Sequence, residues 1–188
     1  MIKDLILKNR SYRRYHENEP VPFALLEELV DMVRFCPSGR NAQPLRYRIV
    51  NTPEGTRDVF PHLKWAGYLK DWDGPAPSER PAAYIIVCHE NSIKGTVECD
   101  AGIALQSMML GLAEAGFGGC IIGSIQRDGL RDALRLSPRL DILYVLAIGR
   151  PKEQVVLEDA KNENDIEYWR DDRGVHHVPK RPLKEILV

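Results

Sequence analysis

The run Ala82-Ala83-Tyr84-Ile85-Ile86-Val87-Cys88 does most to limit what this chain can become. An unbroken apolar stretch of that length, without polar alternation, reads as a strand buried on both faces. Ile142 to Gly149 reads as a second buried strand. Between them, Val97 to Ala115 predicts a helix that is apolar around most of its circumference and is stopped by Gly116. Such a helix belongs in a core or at a subunit interface. Glu98, Asp100, Gln106 and Glu114 interrupt it, so it is not read as a membrane span.

Shorter elements fill in the rest. Ile2, Leu5 and Ile6 lie at helical spacing and predict a short helix ending before Ser11. Pro22 to Phe35 predicts a firmer helix whose apolar face carries Leu25, Leu26, Leu29, Val30 and Val33, and Pro37 requires it to end. Arg46 to Ile49 alternates like a strand, and Gly55 to His62 reads as helical. Cys120-Ile121-Ile122 is a short apolar segment, with a helix expected over Asp128 to Leu136. The Pro/Gly/Asp-rich stretch from Trp65 to Pro81 is long for a compact domain and reads as a functional loop. Glu158 to Arg173 is charged and poor in aliphatics, which suggests an arm laid over a surface. Strands alternating with helices in 188 residues point to one layered domain, α/β or α+β.

Composition removes several function classes. A formal net charge of −1 argues against a general nucleic-acid binder. Cys36, Cys88, Cys99 and Cys120 show no C-x-x-C spacing, so a zinc or iron–sulfur centre lacks its signature. The opening Met1 to Leu5 is charged at once, and a cytoplasmic protein with reduced thiols is expected.

The polar residues cluster instead of scattering. Arg10-Ser11-Tyr12-Arg13-Arg14 lies near the start, Pro37-Ser38-Gly39-Arg40-Asn41-Ala42-Gln43-Pro44 follows one helix later, and Lys180-Arg181 stands near the end. Guanidinium groups match phosphate through two-point hydrogen bonding, and amide side chains can read the edge of a flat heterocycle. The plain alternatives are a solvated basic turn and an ordinary helix-to-strand turn, in which Gly39 permits unusual dihedrals. Gly116, Gly118, Gly119 and Gly123 follow a helix and precede a strand, the reverse of a dinucleotide fingerprint. They indicate close backbone approach, to a neighbouring strand or to a flat ligand. His176-His177 falls on an extended segment, where neighbours point to opposite faces, so no metal pair is expected. With no nucleophile elbow, Walker loop or H-E-x-x-H motif, a bound cofactor would have to carry any chemistry.

These residues resemble the flavin-dependent nitroreductase family. That family's pattern has Arg-Ser-x-Arg before a helix, then Pro-Ser-x-x-Asn-x-Gln-Pro, a helix opening Asp-Ala-Gly, a Gly-x-Gly-x-Cys-x-x-Gly segment and a C-terminal Lys/Arg. The matches here are Arg10 to Arg13, Pro37 to Pro44, Asp100-Ala101-Gly102, Gly116 to Gly123, and Lys180-Arg181. The resemblance implies a single α+β domain over 1–188 with a mixed central sheet flanked by helices. It also implies an intertwined homodimer in which residues 150–188 wrap the partner. FMN would be held non-covalently by Arg10, Ser11, Tyr12, Arg13, Lys180 and Arg181, and by Pro37, Ser38, Asn41 and Gln43 of the other subunit. Backbone at Ile121, Ile122 and Gly123 would lie against the ring, with an N–H near N5 and no dedicated acid or base. The implied activity is alternating transfer of hydride from NAD(P)H to a nitroaromatic, quinone or similar small acceptor. Specialised flavin chemistry (dehalogenation, flavin breakdown, ring dehydrogenation) and a non-catalytic flavin-binding dimer are the competing readings.

Overall fold

A computed structural model describes all residues, 1–188. Its central sheet has the order β1-β2-β4-β3, formed by β1 (Leu45–Val50), β2 (Ala83–Glu90), β3 (Gly118–Ile122) and β4 (Leu140–Gly149). β2 and β4 sit inside it, which explains why both are apolar without alternation: each presents both faces to protein. Ala83, Ile85 and Val87 join Leu146 and Ile148 in one core, while Tyr84, Ile86 and Cys88 join Val145 and Ala147 in a second.

Helices cover both faces. α2 (Phe23–Val33) and α4 (Val97–Glu114) close the first core with Leu26, Leu29, Leu105, Met108 and Leu112. α3 (Pro53–Val59) and α5 (Arg127–Ala133) close the second with Val59 and Leu130, and the start of the long loop adds Leu63 and Trp65. α4 ends where expected: Gly116 takes φ +79°, and the Phe117 N–H bonds the Leu112 carbonyl at 2.8 Å. α1 (Ile2–Lys8) is the short opening helix.

The expected mixed sheet is antiparallel at every pairing of these four strands. The α4 crossover leaves β2 and β3 pointing the same way, but β4 is inserted between them. In this sheet parallel pairing enters at the rim, where Ser11 bridges Gly119 and the Tyr12 N–H bonds the Gly119 carbonyl at 3.0 Å. That bridge lays the arginine-rich segment beside β3.

The C-terminal region is more ordered than an arm lying over a surface. β5 (Val155–Asp159), β6 (Trp169–Arg170) and β7 (His176–Lys180) form a second sheet in the order β5-β7-β6. The Lys152 N–H reaches the Arg14 carbonyl at 2.9 Å, so this sheet is fastened to its own chain beside the arginine segment. Only α6 (Leu183–Ile186) and the residues after it stand clear, with Leu183, Ile186, Leu187 and Val188 exposed. No helix is long and apolar enough to cross a membrane.

Candidate functional site

The segment after α1 is pinned from several directions. The Glu153 side chain is fully buried; its Oε1 accepts the N–H groups of Arg13 and of Arg14 (3.2 Å), and its Oε2 accepts Arg170 at 2.9 Å. Tyr15 is buried beneath, its hydroxyl donating to the Tyr12 carbonyl. Backbone fixed this firmly sends the five side chains in set directions.

Those directions divide the cations. Arg14 turns to Glu79 and makes a two-point ion pair at 2.6 and 2.7 Å, joined by Lys152 at 3.2 Å. That pairing holds the Glu79 carboxyl well down, to about 2. Arg150 is likewise taken up by Glu19 and Arg170 by Glu153. Arg10, Arg13 and Lys180 pair with no carboxylate, and all three line one cavity of about 390 Å³. Arg10 donates to the Ile6 carbonyl at 2.6 Å, its Nε is buried without a partner, and burial lowers its pKa.

The same cavity gathers Ser11 and Ile121 with Gln106 and Met109 of α4, Val155, His176 and Val178 of the second sheet, and Tyr168 just before β6. Ile121 is 39% exposed toward this space while Cys120 and Ile122 point into the core, as strand alternation requires. An apolar wall beside unpaired cations suits a ligand with a flat body and an anionic end. The volume lies in the range of small-molecule sites.

Several expected residues are placed elsewhere. Tyr12 packs over Gly118 and its hydroxyl reaches the Lys8 carbonyl at 3.3 Å. Arg181 turns outward to the Glu163 carbonyl at 2.9 Å. Gly123 lies just past the wall; its N–H makes no backbone bond, and its carbonyl accepts Arg127 at 3.3 Å.

Pro37, Ser38 and Gln43 line a different cavity of about 620 Å³, with Arg46 and Tyr47 of β1 and Asp100 of α4. Asn41 accepts the Gln43 side-chain amide at 3.1 Å. Ser38 donates to Asp100 and accepts the Gln43 N–H at 2.9 Å, so its hydroxyl organises the loop itself. Left-handed backbone falls on Arg40, Asn41 and Gln43 and not on Gly39. Each such residue costs on the order of 1 kcal/mol, and glycine is needed at 39 for space, because a Cβ there would run into Thr96. Within one chain, then, the amide loop and the unpaired cations occupy separate cavities, both touching α4.

Sequence reasoning missed the contribution of the second sheet. The signal was available: once Lys180 is assigned to the site, the two-residue repeat of a strand puts Val178 and His176 on the same face. Gln106 and Met109 share a helix face in the same manner.

The family model described as "Nitroreductase family" matches residues 6–150, and the chain belongs to that family. A Burkholderia lata protein named for an inferred NADH dehydrogenase/NAD(P)H nitroreductase activity is 31% identical over 74 residues. That match covers 39% of this chain and 37% of the relative's length. The structure of an FMN-dependent nitroreductase from Clostridium difficile R20291 superposes with a TM-score of 0.66 at 21% identity, over 89% of this chain and 95% of that one. An oxidised iodotyrosine deiodinase, bound to FMN and 3-iodo-L-tyrosine, gives a TM-score of 0.65 at 22% identity, over 81% and 90% of the two chains.

Proposed function

We propose that this protein is an FMN-dependent oxidoreductase that takes reducing equivalents from NADH or NADPH and passes them to a small nitroaromatic or quinone acceptor. The observation that carries this reading is the gathering of Arg10, Arg13 and Lys180, unpaired, around one partly apolar cavity in a chain of this family. FMN supplies hydride acceptance and donation when bound; the chain's residues supply binding, orientation and charge.

Arg10, Arg13 and Lys180 would hold the anionic end, and Ser11 would add a neutral donor. Ile121, Met109, Val155 and Val178 would exclude water from the flat body. The Gly123 N–H, which makes no backbone bond, would offer a donor to the flavin ring, and no side chain is required as a dedicated acid or base. The Pro37 to Gln43 loop lies apart from these groups in its own chain, which favours its completing the cavity of a second copy. In that homodimer Asn41 would face the flavin of the mate, and α6 with its exposed apolar residues would lie across the partner.

The absorption spectrum of purified protein with FMN, followed by anaerobic titration with each nicotinamide, tests this directly. The expected result is a bound yellow flavin bleached by NADH or NADPH and rapid turnover with menadione. Protein that stays colourless overturns the proposal. Yellow protein that neither nicotinamide bleaches marks a flavin-binding dimer without turnover, and poor use of menadione marks specialised flavin chemistry.

A further inference from the structure

Arg13 differs from every paired arginine nearby in what holds its guanidinium. Glu153, the adjacent buried carboxylate, is spent on the Arg13 and Arg14 N–H groups and on Arg170, and it forms no bond to the Arg13 side chain. The guanidinium instead meets three uncharged groups. Its Nη1 lies 3.1 Å from His176 Nε2 and 3.3 Å from the Ser11 carbonyl, and its carbon sits 4.6 Å above the Tyr168 ring. His176 is entirely buried and lines the cavity together with Arg13.

We propose that His176 is a positioning residue: its uncharged Nε2 aims the Arg13 guanidinium at the cavity and leaves the positive charge uncancelled. Arg13 offers only donors, so Nε2 must accept and the ring proton must sit on Nδ1. Burial, and then the charges of Arg13, Arg170 and His177, push the imidazole pKa down to about 4, which keeps it an acceptor near neutral pH. A carboxylate in the same place would orient Arg13 equally well and neutralise it. The fold accepts a buried, unpartnered Nδ1 to keep this arrangement, an outlay that packing alone does not call for. This inference rests on reading the cavity as the site of an anionic cofactor.

The test is FMN titration of apoprotein, followed by flavin fluorescence, with thermal unfolding of each variant alongside. His176→Gln keeps an uncharged acceptor at nearly the same reach, and its dissociation constant is expected within about threefold of the natural protein's. His176→Glu keeps the bond and cancels the charge; His176→Leu removes the acceptor. Both are expected to weaken FMN about tenfold or more, the usual scale for one charge-assisted hydrogen bond. On an Arg13→Ala background, His176→Leu is expected to add less than about twofold, because it acts through Arg13.

Glutamate and glutamine variants of equal affinity overturn the inference, as does a leucine effect that persists in full without Arg13. If the leucine variant does not fold, the glutamine–glutamate contrast decides alone. Natural protein that binds no FMN overturns the cofactor reading and this inference with it; natural protein that binds, with variants indistinguishable from it, overturns the inference only.

Discussion

Ser38 donates its hydroxyl to the Asp100 carboxylate across 2.6 Å, and that bond ties the amide loop to the buried start of α4. The other oxygen of Asp100 accepts the Gly39 N–H and the Thr96 hydroxyl, both at 3.0 Å. Burial works to raise the Asp100 carboxyl, but these three hydrogen bonds outweigh it and hold the pKa below the usual range. Asp100→Ala leaves several partly buried donors without an acceptor and is expected to destabilise the protein by about 1–3 kcal/mol. Urea unfolding measures this, and Asp100→Asn should lose less because it keeps one acceptor oxygen.

The division of the arginines predicts two different phenotypes. Arg10→Ala and Arg13→Ala are expected to weaken FMN binding by about tenfold or more, with little change in unfolding temperature. Arg14→Ala breaks the Glu79 pair and is expected to lower stability first. Arg181→Ala, whose guanidinium faces Glu163, is expected to leave affinity near that of the natural protein. Flavin fluorescence and thermal scans on the same samples separate these outcomes.

Two adjacent histidines are expected to titrate in opposite directions. His176 is lowered to about 4 by burial, so the folded state resists protonation that the unfolded chain accepts near 6.5. Its contribution to stability is therefore lost progressively as pH falls from about 6.5 toward 4. His177 is raised, first by its hydrogen bond to Glu158 and also by Asp171, and it stacks on Trp169 at 4.0 Å. Its contribution is full below about 6.5 and is lost as pH rises through the higher folded value. Urea midpoints across pH 5 to 8 check this: His177→Gln should cost more stability at about pH 5.5 than at about pH 8.

Glu79 governs a more acidic limb. Its carboxyl is held at about 2 by Arg14, so the stability it adds is present above the ordinary carboxylate pKa and is lost as pH falls from about 4.5 toward 2. Glu79→Gln is expected to flatten acid unfolding in that window, followed by circular dichroism.

If the homodimer reading holds, the exposed apolar residues of α6 have a partner to cover them. Truncation after Pro182 is expected to shift the protein toward monomer in sedimentation velocity and to weaken FMN retention in the same preparation. A truncated chain that sediments as the full-length one does would assign the contact to another surface.

Much of the architecture was legible because it is encoded locally. The Ala82 to Cys88 run became β2, the Val97 to Ala115 pattern became α4, and the Gly116 stop held, each within a residue or two. The second sheet was not legible. Val155-Val156-Leu157 is too short an apolar run to announce a strand, and His176 to Lys180 holds one aliphatic, Val178, beside Pro179; the two form strands by pairing with each other in parallel across intervening chain. The left-handed positions in the amide loop were not legible either: Gly39 permits such backbone but serves for space beside Thr96, a property of neighbours distant in sequence, while Arg40, Asn41 and Gln43 take the positive φ.

The order of amino acids alone determined the buried strands, the central helix and the set of polar residues available for a site, since each follows from burial pattern and chain stiffness over a few neighbouring positions. Only the tertiary structure decided which positive charges remain free. Arg13 and Arg14 are adjacent and chemically alike; Glu79, 65 residues beyond Arg14, neutralises one, while His176 meets the other without neutralising it. Ion pairing depends on which groups folding brings within a few ångströms, and that distance is set by the whole packed molecule.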